Sequence, residues 1–181
     1  DEREFADKFV KKFLTGKKSI KIGLNTGGGD VWQKKEWPAD STVRLIKLLN
    51  KGIGGRKTSI MLFGGEKETK RNAYIIRKSG KGIINTGSNN TLREFFSLLS
   101  ECDIIVATDT LALHASLALG KKTVALFGPT SPAEIEMYGL GDKIIAPVEC
   151  KVCYKRKCDV IPDCMVSISP ETVYKAIQKL I

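Results

Sequence analysis

The chain has 181 residues, of which 42% are hydrophobic and 28% charged; this balance suits one globular domain with a full core and excludes a disordered polar chain. No apolar run approaches the roughly 20 residues of a bilayer-spanning helix, and the charged opening Asp1-Glu2-Arg3-Glu4 does not read as a signal peptide, so a cytoplasmic location is expected. A formal net charge of +10 attracts phosphate-rich partners such as nucleotides, nucleic acid or an anionic membrane surface, unless the lysines serve only to keep the surface soluble.

Helix and strand patterns alternate along the chain. An amphipathic helix is predicted over 5–14, inside an opening segment 1–16, and a strand over 19–24. A helix that contains 43–49, with Pro38 near its first turn, a strand over 59–63 and a helix over 67–78 follow, then a short strand at 82–84 and a helix over 92–99. Residues 103–107 form a β-branched strand, and Thr108-Asp109-Thr110 supplies cap-type residues before a helix over 111–119. A strand over 123–127, a short helix after Pro132 and a strand over 143–146 come next. A cysteine-rich loop over 147–169 and a closing helix over 170–181 complete the chain. The alternation predicts an α/β fold: a Rossmann-like three-layer α/β/α sandwich with a parallel sheet of about six strands. In the strand order 3-2-1-4-5-6 the switch point lies between the first and fourth strands, at their carboxyl ends.

Those two ends carry the unusual segments. After the fourth strand, Asp109 and Thr110 stand at a helix N-terminus, where unpaired N–H groups and the helix dipole favour an anion such as phosphate. Thr110 and the chain's one histidine, His114, lie one turn apart, so both are expected to face the strand mouth; a histidine simply packed on the helix is the plainer alternative. After the first strand comes Asn25-Thr26-Gly27-Gly28-Gly29-Asp30, which permits close backbone approach to a ligand, a mobile lid or only a flexible turn. It lacks the third glycine of G-x-G-x-x-G, and no G-K-[ST] is present, so a nicotinamide dehydrogenase or nucleotide-sugar epimerase is disfavoured. Lys35, in Lys34-Lys35-Glu36-Trp37-Pro38, serves either as a point charge for phosphate or as a solvated surface cation. At the end of the second strand, Gly64-Gly65-Glu66-Lys67-Glu68 places two glutamates that either complement a helix dipole or accept hydrogen bonds from ribose hydroxyls.

Four of the five cysteines form Cys150-x2-Cys153-x4-Cys158-x5-Cys164. Such spacing admits a zinc site, an iron–sulfur cluster or disulfides, although a typical zinc ribbon pairs two Cys-x-x-Cys knuckles and only one is present. With Lys151, Lys155, Arg156 and Lys157 the loop also suits an anion or a lipid headgroup. A zinc- or nucleic-acid-binding module is therefore the rival to an enzyme domain, weakened by an aromatic content of 7% and by the lack of a groove-reading or stacking motif.

Taken together, Asp109-Thr110 with His114, Ala125-Leu126-Phe127-Gly128-Pro129-Thr130-Ser131-Pro132, the loop ending Cys164-Met165, Ser169-Pro170-Glu171, Lys35-Glu36-Trp37-Pro38 and Gly64-Gly65 resemble glycosyltransferase family 9, the bacterial ADP-heptose lipopolysaccharide heptosyltransferases. The resemblance covers nearly the whole chain, but only the C-terminal, donor-binding half of a two-domain GT-B enzyme. It implies one nucleotide-sugar-binding domain over 1–181, in an inverting enzyme that adds heptose to lipopolysaccharide core. The acceptor, a lipid-linked saccharide, would be held by an N-terminal half outside this sequence, with peripheral inner-membrane contact; no nucleic-acid partner and no cofactor are implied. By the same resemblance Thr26 meets the phosphates, Lys35 neutralises the departing ADP, Glu68 (or Glu66) binds the ribose, and Asp109, Thr110, Leu111 and His114 hold the diphosphate and sugar. Where the family has glycine this chain has Leu111, whose side chain restricts backbone approach. The catalytic base is an aspartate of the other half, so no catalytic base is expected here, and the cysteine loop is expected to be reduced and without metal.

Overall fold

Six strands pair in parallel in the computed structural model, which describes residues 2–13, 19–29, 33–150, 152–155 and 157–181. They are β1 (Ile20–Asn25), β2 (Thr58–Leu62), β3 (Ile83–Asn85), β4 (Ile104–Thr108), β5 (Lys122–Phe127) and β6 (Gly141–Ile145), in the order β3-β2-β1-β4-β5-β6. Because successive side chains in a strand point to opposite faces, β2, β4 and β5 each feed two cores. Ile60 and Leu62 of β2, Ile104 and Val106 of β4 and Val124 and Leu126 of β5 enter one; Met61, Ile105, Ala107, Ala125 and Phe127 enter the other. Strands buried on both faces read as unbroken apolar runs, which is why their positions are visible in sequence.

Helices α2 (Ala39–Leu49), α3 (Thr69–Ser79) and α6 (Pro170–Lys179) cover the first face, and α1 (Glu2–Phe13), α4 (Leu92–Ser100) and α5 (Leu111–Ala118) the second. The α4 start is closed reciprocally: the Thr91 hydroxyl accepts from the Glu94 N–H, and the Glu94 carboxylate accepts from the Thr91 N–H at 2.8 Å. Ser169 caps α6 in the same way by accepting from the Thr172 N–H, with Pro170 in the first turn. Each such cap contributes about 1 kcal/mol.

Besides an unexpected 3-10 turn at Gln33–Lys35 and small shifts at element ends, the elements differ from the sequence expectation in three places. A single helix over 67–78 is replaced by a 3-10 turn, Glu66–Glu68, ahead of α3, because the Glu68 carboxylate folds back to accept the Gly65 N–H at 2.9 Å. The short helix after Pro132 is a single 3-10 turn, Pro132–Glu134. β6 begins earlier than expected, at Gly141, whose backbone lies so close to Thr123 that a Cβ would sit 1.9 Å from its carbonyl oxygen. Asp1, 14–16, Asp30, Lys151 and Arg156 lie outside the described residues. Among those described, no helix is long and apolar enough to cross a membrane.

Candidate functional site

The first and fourth strands are neighbours, with Asn25 beside Ala107 in register, so the loops leaving their carboxyl ends open one crevice at the switch point. A cleft of about 350 Å³ occupies it. Part of its lining is glycine and carboxylate, from Gly27, Gly29, Gly64, Gly65 and Glu68. Another part is apolar, from Leu92, Phe95, Leu111 and Ala112, and Asn25, Ser88, Asn90 and Thr110 complete it.

The glycines are there to admit Glu68. A Cβ on Gly27 would lie 2.7 Å from the Glu68 Cγ, and one on Gly64 would lie 2.8 Å from its Cβ and 2.6 Å from the Asn72 amide nitrogen. Glu68 thus reaches the cleft through a gap that only glycines leave open, held by the Gly65 N–H. Of the two glutamates weighed from sequence, Glu68 lines the cleft and Glu66 is exposed outside it.

At the α5 end, Thr110 is the N-cap residue with extended backbone (φ −143°), and its hydroxyl lies 3.2 Å from the Thr108 carbonyl and 3.4 Å from the Asn25 amide oxygen. Beside it, Lys35 Nζ donates to the Asp109 carboxylate at 2.9 Å and to the Asp109 carbonyl oxygen at 3.0 Å. Both side chains of this pair are largely buried, 14% and 15% exposed. Leu111, by contrast, projects into solvent at the cleft rim, 54% exposed.

Two sequence-predicted residues take other positions. Thr26 is fully buried: its hydroxyl is 3.0 Å from that of Thr42, and its carbonyl accepts the Trp37 N–H. Its polar groups therefore serve the interior, and its side chain does not face the cleft. His114 does not join Thr110 at the strand mouth. The two remain one turn apart, the Thr110 carbonyl accepting the His114 N–H at 3.4 Å, but Thr110 is an extended N-cap whose hydroxyl turns back to the Thr108 carbonyl, while the His114 side chain is 60% exposed. His114 instead lines a separate recess of about 380 Å³ with Leu117, Ile135, Glu134, Glu136 and Tyr138, its Nε2 3.9 Å from the Asp109 carboxylate.

Sequence reasoning missed Arg71. Its side chain, only 10% exposed, places Nη2 at 2.5 Å from the Trp37 carbonyl and 3.0 Å from the Thr26 hydroxyl. Its Nε lies 3.1 Å from the Glu36 carboxylate, without hydrogen-bond alignment. Burial lowers the guanidinium pKa from its ordinary value, while Glu36 and Glu68 oppose that shift. An arginine on a basic helix is indistinguishable by pattern from a solvated one.

The cysteine loop packs over the end of β5. Tyr154 N–H donates to the Pro129 carbonyl at 2.9 Å, Met165 is buried, and a Cβ on Gly128 would lie 2.7 Å from the Cys164 sulfur. Cys150 and Cys153 are exposed, and the Cys164 thiol is pushed up by burial and by Asp163, Cys153 and Cys158. Among the described residues the cysteines are free thiols and no three metal-ligating side chains converge.

A doubly wound parallel sheet with its crevice at the β1/β4 switch point defines a Rossmann-like α/β domain. Residues 1–162 match the family described as glycosyltransferase family 9 (heptosyltransferase). The chain belongs to that family. It is 25% identical over 166 residues to lipooligosaccharide heptosyltransferase 2 of Campylobacter jejuni, covering 88% of this chain and 51% of that protein. The Haemophilus influenzae lipooligosaccharide heptosyltransferase 2 is 25% identical over 189 residues, covering 99% of this chain and 53% of that protein. In fold it is similar to ADP-heptose lipopolysaccharide heptosyltransferase II of E. coli, with a TM-score of 0.74, 21% identity and coverage of 99% of this chain and 50% of the other. A family 9 glycosyltransferase of Veillonella parvula gives a TM-score of 0.79 at 20% identity, with 99% and 51% coverage. The chain spans about half the length of the curated relatives it matches. The comparisons lend no support to a zinc- or nucleic-acid-binding module.

Proposed function

We propose that this chain is the donor-binding half of an inverting glycosyltransferase, taking ADP-heptose or a related nucleotide-sugar and passing the sugar to lipopolysaccharide core. The observation that carries this reading is the placement of the Lys35 ammonium at the N-terminus of α5, beside a cleft lined in part by glycine and carboxylate and in part by apolar side chains. The free N–H groups of α5 and the lysine suit a diphosphate, Glu68 suits ribose hydroxyls, and the apolar lining of Leu92 and Phe95 suits a base. Asp109, Thr110, Leu111 and, from its neighbouring recess, His114 then border the sugar. Thr26 contributes by fixing the loop, because its hydroxyl is engaged inside.

In the reaction an acceptor hydroxyl attacks the anomeric carbon as the nucleoside diphosphate leaves, with inversion. Lys35 and the α5 amides stabilise the charge that develops on the leaving group. Deprotonation of the acceptor falls to the half of the enzyme that the relatives have beyond this chain. His114 is a poor substitute as a base, since it lines the neighbouring recess and not the cleft. The location that fits this chemistry is the cytoplasm, with peripheral contact at the inner membrane where a lipid-linked acceptor lies.

Calorimetric titration with ADP, ADP-heptose and UDP-sugars tests the reading. Weak binding of the adenine ligands is expected, because only one face of the cleft is preorganised. No heat with ADP at millimolar ligand overturns it. Sugar transfer by the chain alone, lost in H114A, would show that the base lies in this half.

A further inference from the structure

We propose that Arg71 is the positioning residue of the donor site, stapling shut the neck of the loop that carries Lys35. The inference rests on the donor-site reading above. The loop leaves β1 at Thr26 and returns at Trp37, immediately before α2, and its two ends meet through the Trp37 N–H and the Thr26 carbonyl at 3.0 Å. Arg71 enters from α3, on the far side of that neck, and its Nη2 comes within hydrogen-bond reach of the Trp37 carbonyl, the Thr26 hydroxyl and carbonyl, and the Thr42 hydroxyl of α2. One guanidinium thus ties together both ends of the loop and the helix behind it.

The consequences reach the cleft by two short routes. Lys35 stands two residues before Trp37, so the point at which the returning strand of the loop is pinned sets where its ammonium meets Asp109. Gly27 follows Thr26, and it is against Gly27 that Glu68 packs. Glu36, between Lys35 and Trp37, faces the Arg71 Nε at 3.1 Å. The choice of arginine follows from the geometry: Nη2 meets the neck acceptors while Nε faces Glu36, and an ammonium, having one nitrogen, keeps the charge but cannot hold both places at once.

Three observables on the 181-residue chain test the proposal: affinity for ADP, affinity for adenosine, and hydrogen exchange of the amides of Gly27, Gly29 and Gln33–Lys35. In R71Q, ADP affinity is expected to fall by about tenfold or more, adenosine affinity to stay within about twofold, and the loop amides to exchange faster while those of β4 and α5 do not. R71K is expected to recover only part of the loss. T42V, which removes one acceptor and preserves the buried shape, should show the same pattern more weakly and stands in if R71Q does not fold. Full recovery in R71K would assign the effect to charge and overturn positioning. Unchanged ADP affinity and loop exchange in R71Q, or equal losses for ADP and adenosine, would also overturn it. Failure of the unaltered chain to bind ADP would instead refute the donor site; faster loop exchange in R71Q would then still show the staple, and unchanged exchange would refute both.

Discussion

Lys35 and Asp109 neutralise one another at the N-terminus of α5, with the ammonium 2.9 Å from the carboxylate and 3.0 Å from the same residue's carbonyl oxygen. A diphosphate arriving there must share the ammonium with Asp109. K35A should weaken ADP by about tenfold or more with little effect on adenosine, the loss of one charge-assisted hydrogen bond being worth about 1.5–3 kcal/mol. D109N should tighten ADP, by freeing the lysine, and weaken ADP-sugar if the carboxylate holds the sugar. Titration of each variant with the two ligands checks both statements, and parallel losses for ADP and adenosine in K35A contradict the role of the lysine.

Glu68 owes its position to the missing side chain at Gly27. In G27A the new methyl, 2.7 Å from the Glu68 Cγ, is relieved by swinging a flexible side chain away, so stability should fall by only about 1 kcal/mol or less. Ligand preference should change more. Discrimination between ADP and its deoxyribose analogue should shrink in G27A and in E68Q alike, as measured by competition binding; preserved discrimination in both would remove Glu68 from the ribose.

Trp37 joins the loop to the approach of α6. It is fully buried, and its indole N–H donates to the Ile168 carbonyl at 3.0 Å. W37F removes that donor, leaves a buried carbonyl without its partner and opens a small void, at a combined cost of about 2–4 kcal/mol. Chemical denaturation followed by far-ultraviolet circular dichroism gives the number, and a loss below about 0.5 kcal/mol would show that the bond is dispensable.

The cysteines should separate sharply by reactivity. Cys102 is buried beside Met61 and its thiol pKa is raised strongly by desolvation, whereas Cys150 and Cys153 are exposed. Because the thiolate is the nucleophile, a maleimide at neutral pH should label Cys150 and Cys153 first and Cys102 only on unfolding. Peptide mass spectrometry across a labelling time course decides it; early labelling of Cys102 would mean that the second core opens readily.

The strand order was legible because each parallel strand is an apolar run separated from the next by a helical stretch, and right-handed crossovers leave few arrangements for such a chain. The switch-point crevice followed from that order, and with it Asp109 and Thr110; Glu68 was preferred to Glu66 only through the family resemblance. What was not legible depends on the direction in which a side chain leaves the backbone. Thr26 turns inward because Thr42 and Arg71 offer it partners from elements 16 and 45 residues away. The Thr110 hydroxyl and the His114 ring diverge although one turn apart, because Thr110 is an extended cap whose hydroxyl turns back to the Thr108 carbonyl. Arg71 was missed because burial of a cation depends on acceptors supplied by Thr26 and Trp37, which no local pattern at 67–78 reveals.

The central claim is that a nucleoside diphosphate sits at the carboxyl ends of β1 and β4. Nuclear magnetic resonance titration of the nitrogen-15-labelled chain with ADP tests it residue by residue. The account predicts saturable shifts centred on the amides of Gly27, Gly64, Gly65 and Thr110 to Ala112, which line the cleft, with the recess around Glu136 and Tyr138 unperturbed. No shifts at millimolar ADP, or shifts centred on that recess or on the opposite end of the sheet around Arg56 and Lys122, would contradict it.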